Sequence, residues 1–209
     1  MSPRTPASFV TPRADAASRR AERELARADA IKTIGRSLAG GRSASRDVID
    51  ATRDPAWLVR IEALEALRDI GDARSFAAAR ACLRDRSPLV RSYAAVAVAI
   101  IDPSRARPLL RRAVLGDRSS IARIGYFDGL FALGQRDALG GLLRLLRSRQ
   151  YRVRCAAANT VANLELTPAE RTEVRRAVDA ALAVESTIAA RSTLETASRA
   201  LRRRPRRGR

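Results

Sequence analysis

The chain has 209 residues, 46% of them apolar and only 4% aromatic, and a formal charge of +19. That length builds one domain of ordinary size with a sizeable core, and it is too long for a disulfide-stapled miniprotein. Histidine is absent, which excludes histidine metal sites, Ser/Cys–His triads and imidazole acid–base chemistry.

Met1 to Arg20 contains no continuous apolar stretch, so it does not read as a secretory signal. Pro3, Pro6 and Pro12 predict a disordered arm over residues 1–14. A helix over about 15–39 follows, capping what comes after it, with Arg19, Arg20, Arg23 and Arg27 on a wet outer face. Five helix pairs are then predicted: 44–53 with 56–70, 73–84 with 88–101, 104–115 with 119–133, 136–147 with 151–164, and 168–184 with 186–201. Ser87-Pro88, Asp102-Pro103 and Thr167-Pro168 each read as an N-cap followed by proline at the first helical position. Thr167 and Glu170 have capping-box spacing, and Gly71, Gly116 and Gly134 supply stops. The longest apolar run, Ala94 to Ile101, is far short of the ~20 residues of a membrane span. Residues 202–209 read as an arginine-rich disordered tail, broken by Pro205 and Gly208.

The pairs are copies of one another. Asp54-Pro-Ala-Trp-Leu-Val-Arg60, Asp85-Arg-Ser-Pro-Leu-Val-Arg91, Asp117-Arg-Ser-Ser-Ile-Ala-Arg123 and Ser148-Arg-Gln-Tyr-Arg-Val-Arg154 each open a small-apolar helix. Their arginines recur at spacings of 31, 32 and 31, and a degenerate fifth copy runs from Glu185 to Arg191. Such a period, holding two helical patterns, marks a stack of helical hairpins. An Asp, then Val-Arg five and six residues on, then a helix ending in Ile-Gly or Leu-Gly, resembles the HEAT repeat, most closely the short bacterial type of phycobilisome-lyase-like proteins. The resemblance covers 44–164 well and 168–201 loosely. It implies an all-α, right-handed α-solenoid of about five HEAT-like hairpins over residues 15–201. It also implies a structural ladder along the stack from Asp54, Asp85 and Asp117 and from Arg60, Arg91, Arg123 and Arg154. Aspartate would cap the second helix and arginine would join neighbouring turns. Ser148 replaces the aspartate in the fourth copy, so the ladder is weaker there.

Second helices line the concave side of such arrays. Counting from each repeat arginine, positions +3, +4 and +7 are apolar and form core. Positions +1, +2, +5 and +9 face the groove: Ile61, Glu62, Glu65 and Asp69; Ser92, Tyr93, Val96 and Ile100; Ile124, Gly125, Asp128 and Ala132; Cys155, Ala156, Asn159 and Asn163. The expected groove holds no arginine beyond the ladder. A phosphate track needs arginine or lysine in those columns. An apolar patch rimmed by carboxylates and amides suits a protein segment instead. The partner groove is therefore read at Glu62, Glu65, Tyr93, Val96, Ile100, Asp128 and Asn159.

First helices carry arginines on the convex side. Arg80, Arg84, Arg111, Arg112, Arg144 and Arg147, with Arg202, Arg203, Arg204, Arg206 and Arg207 of the tail, are candidate contacts to nucleic acid or another polyanion. A solvated face explains the same charges. Forty of the 41 basic residues are arginine, as GC-rich coding gives, which suggests a bacterial source. Cys82 and Cys155, without Cys-x-x-Cys pairing, read as buried, inert thiols in a reducing cytoplasm. No cofactor, metal or catalytic residues are expected. The function expected is a non-catalytic scaffold binding a protein or peptide, the alternative being sequence-independent nucleic-acid binding.

Overall fold

The computed structural model describes residues 12–38 and 46–203, and all regular structure among them is helical. The helices are α1 (Pro12–Leu38), α2 (Arg46–Ala51), α3 (Trp57–Ile70), α4 (Phe76–Ala81), α5 (Pro88–Ile101), α6 (Pro103–Gly116), α7 (Ser120–Ala132), α8 (Ala138–Leu145), α9 (Tyr151–Asn163), α10 (Pro168–Ala183) and α11 (Ile188–Arg202). Short 3-10 turns, Ala73–Ser75 and Cys82–Arg84, extend α4 at both ends. The expected hairpins are all present. α1 begins three residues earlier than the sequence predicts, so part of the expected arm is helical. α11 runs one residue into the expected tail. The rest of the arm and Arg204, Arg206 and Arg207 lie outside the described residues.

Local chemistry sets the boundaries. Ser87, Asp102 and Thr167 accept from the amides of Val90, Arg105 and Glu170, each with proline opening the helix behind it. Thr167 and Glu170 close a reciprocal capping box. Gly71, at φ 70°, takes the left-handed conformation that ends α3, where a side chain would be strained.

Two layers result. α1, α3, α5, α7, α9 and α11 contact one another in series as the inner layer, and α2, α4, α6, α8 and α10 back onto it. One continuous core runs from Val48 to Leu201, built mostly of Ala, Val and Leu. This is an α-solenoid, with α1 as an extra inner helix covering α3. Alanine and glycine let the inner helices approach closely. An added Cβ on Gly125 would stand 2.1 Å from the Ser92 carbonyl oxygen, and one on Gly129 would stand 2.9 Å from that of Ala95. These two glycines, one turn apart on α7, are the seam on which α5 lies. Gly125, Ile61 and Ile124 are buried, the two isoleucines at 5% and 4% exposure; Gly125 and Ile124 still line the groove as its floor, as expected, whereas Ile61 does not. An inner helix touches a neighbour on each side as well as its own hairpin partner. Its apolar arc is wider than one hairpin requires.

Candidate functional site

The arginine column forms a chain of bonds from repeat to repeat. Arg60 Nη2 donates to Asp85 Oδ1 at 2.9 Å, and Arg91 donates to both Asp117 oxygens at 2.7 and 3.1 Å. Each also bonds its own turn, Arg60 Nη1 to the Asp54 carbonyl and Arg91 Nη1 to that of Asp85, both at 2.7 Å. Arg154 does the same with the Ser148 carbonyl and reaches Glu185 at 2.5 and 2.6 Å. Two expectations need correction and one is extended. Arg27 of α1 keeps its place on the exposed face but also bonds Asp54 at 3.0 and 3.1 Å, so the chain of bonds starts one helix earlier. The aspartates do not cap the second helices directly. Asp54, Asp85 and Asp117 accept from the amides of Ala56, Ser87 and Ser119, orienting the N-cap residue instead. Arg123 makes no rung: Ser148 stands where its acid belongs, and the buried Arg123 Nε has no hydrogen-bond partner. Its guanidinium lies 5.7 Å from the Phe127 ring centre.

Burial pushes the Asp117 carboxyl up, but Arg91, the Ser119 amide and the Tyr126 hydroxyl outweigh it and hold it below the usual range. Arg154 holds Glu185 down, at about 2. Cys82 is buried, and that burial pushes its thiol up to about 11. It is a packing residue that donates to the Thr52 carbonyl at 3.6 Å.

A cavity of about 410 Å³ opens on the inner layer across α3, α5, α7 and α9. Of the expected groove residues it gathers Glu65, Tyr93, Val96, Asp128 and Asn159. Glu62 and Ile100 do not line it. Glu62 sits one turn before Glu65 and acts on it through its charge, while Ile100, 47% exposed, lies two turns beyond Tyr93 on α5. The walls are Leu89, Ile121, Ala156 and Leu164, with the amides of Asn159 and Asn163 on the α9 side. The expectation of an arginine-free groove does not hold, since Arg68 of α3 lines it. Arg68 is eight residues past Arg60, and at 100° per residue that position falls beside the +1 column. Arg68 is held by Asp69 at 2.8–2.9 Å.

Burial dominates the electrostatics here. Asp128 is pushed up to about 6 by desolvation, which Arg68 only partly offsets. Glu65 is raised for the same reason, with Glu62 and Asp69 adding to it and Arg68 and Lys32 opposing it. Tyr93 is also raised and stays neutral.

On the outer layer the arginines divide. Arg111 bonds the Gln135 side chain at 3.0 Å and Arg202 bonds Asp179 at 3.1 Å, both on the exposed surface. Arg105 stacks on Phe76 and Arg136 on Phe131, and Arg136 also pairs with Glu170. Arg80, Arg84 and Arg112, joined by Arg118, border a cleft of about 900 Å³ along α4 and α6. Arg144, Arg147 and Arg176 border a second, of about 560 Å³, along α8 and α10. Arg203 is exposed at the end of α11.

The family profile for HEAT repeats matches residues 45–130, the stretch from α2 through most of α7. Residues 45–130 carry HEAT repeats. No curated protein matches it significantly. HEAT arrays offer extended concave faces on which other proteins bind. Among the described residues, no His, Cys, Asp or Glu side chains group as a metal site requires. No helix among them is long and apolar enough to cross a membrane.

Proposed function

We propose that the protein is a non-catalytic HEAT-repeat adaptor that takes a segment of a partner protein in its inner groove. The observation that carries this is the 410 Å³ cavity, where Tyr93, Val96, Ile121 and Leu164 surround Asp128. Apolar walls with a few converging polar groups are the composition of a recognition site. Two free thiols, one of them buried, support work in a reducing compartment such as the cytoplasm.

Affinity capture from a native lysate, with and without nuclease, tests the reading. Nuclease should leave the captured proteins in place. Tyr93→Ala combined with Val96→Asp should release them while helicity by circular dichroism is unchanged. Capture of undiminished strength by the double variant would reject the groove.

A second reading rests on the four arginines around the α4/α6 cleft, which have no bonding partner among the described residues. They suit the phosphates of a nucleic acid, bound without sequence preference. Capture that nuclease abolishes, and that Arg84→Glu with Arg112→Glu removes, would favour it.

A further inference from the structure

Asp128 is an acid in a place that disfavours one. It projects from the middle of α7 into the inner groove, among Tyr93, Val96, Ile124 and Leu164. No hydrogen bond or ion pair among the described residues holds its carboxylate; the only charge acting on it is Arg68, across the groove. Arg68 is already bonded to Asp69. Two acids, Glu65 and Asp128, thus line the groove against one committed arginine, and Glu62 and Asp69 add negative charge at the rim. α5 contributes Tyr93, which is neutral, and α9 contributes only amides and a hydroxyl, from Asn159, Asn163 and Thr160.

A carboxylate without a partner at an apolar site is costly in the free protein. A cation that arrives with its own hydrogen bonds offsets that cost. We propose that the occupant of the groove is an apolar peptide segment carrying one lysine or arginine, whose cation is received by the Asp128 carboxylate while its apolar neighbours lie on Val96, Ile121 and Leu164. The proposal rests on the groove being the partner site. Charge complementarity selects the cation and the apolar walls select its flanks. An acidic segment would meet Glu65 and Asp128 together and be repelled.

The test pans a phage-displayed library of random peptides on the full chain at pH 8. Enriched peptides are then measured by fluorescence anisotropy. They should share one lysine or arginine between apolar residues. Asp128→Asn should weaken them at least about 30-fold, as loss of one partner of a desolvated pair does. Replacing the peptide's basic residue with norleucine should cost about the same on the wild-type chain and little more on Asp128→Asn. Lowering the pH from 8 to 5 should weaken binding to the wild type as Asp128 protonates. Most of that loss should be absent from Asp128→Asn, where only Glu65 still titrates in the groove. Enriched peptides without a basic residue, or full-strength binding to Asp128→Asn, would overturn the cation site. Such peptides would leave the groove reading standing if Tyr93→Ala with Val96→Asp still released them. Peptides indifferent to that double variant, or no enrichment at all, would overturn both.

Discussion

Asp128→Asn should make the free protein more stable at pH 8. Burial raises the carboxyl from its ordinary 3.8 to about 6. That shift of roughly two units corresponds to a ceiling of about 3 kcal/mol at 1.36 kcal/mol per unit. Asp128 is half-buried and the groove admits water, so a gain of about 1–2 kcal/mol is expected. The sign follows from proton binding. Between pH 3.8 and 6 the folded state holds a proton that the unfolded chain has lost, so stability falls as pH rises through that window. The penalty is complete above pH 6 and absent below the unfolded value. Asparagine has no such penalty, so its advantage should be full at pH 8, shrink below 6 and vanish near 4. Urea unfolding followed by circular dichroism at pH 8, 6 and 4.5 measures this, and differences between the two chains cancel every other titrating group. An asparagine variant no more stable at pH 8, or an advantage that pH does not change, would refute the argument. A residue that weakens the free fold yet sits in the open groove is what a binding function predicts.

Ser148→Asp should supply Arg123 with its missing partner and stabilise the fold by about 1 kcal/mol; a double-mutant cycle with Arg123→Ala should remove the gain. Asp117→Ala leaves Arg91 and the Tyr126 hydroxyl without their shared acceptor, and should cost about 2–4 kcal/mol in chemical denaturation. Gly125→Ala drives a methyl into the Ser92 backbone; it should cost more than 2 kcal/mol or prevent folding, by an overpacking that neighbours cannot relieve. Acidification should strip the Arg154 bond to Glu185 as pH falls from 4.5 toward 2, because that carboxyl is held down only in the folded state. Glu185→Gln should flatten this part of the acid-unfolding curve.

The hairpins were legible in the chain because their boundaries are written in local chemistry. Ser-Pro, Asp-Pro and Thr-Pro mark starts, and a spacing of 31–32 puts the arginines in one column. Arg27 reads only as a solvent-facing arginine because its helix carries no turn motif before it; its placement over Asp54 reveals the bond. Glu185 opens a degenerate copy in the sequence, yet its longer side chain fills the aspartate's place for Arg154 across a wider sequence gap. The groove was legible as columns on a helix but not in depth. The same columns contain Tyr93 and Val96, which stand in the cavity, Ile124 and Gly125, which line it only as a buried floor, and Ile61, which does not line it. Ile124 is almost wholly buried, and Gly125 is pressed on the backbone of α5. A helical wheel gives direction and cannot say which part of an arc the next helix covers. Arg68 escapes the pattern for a related reason, since it falls beside the groove-facing columns and still reaches the cavity.

The inner groove as the partner site is tested most directly by a photo-crosslinking amino acid placed singly at Val96, in the groove, or at Arg112, by the outer cleft. Irradiation in a native lysate should attach a distinct protein at position 96, one that excess of a groove-binding peptide displaces, and give no such product at position 112. Attachment at 112 alone, or a product at 96 that the peptide leaves unchanged, would contradict the account.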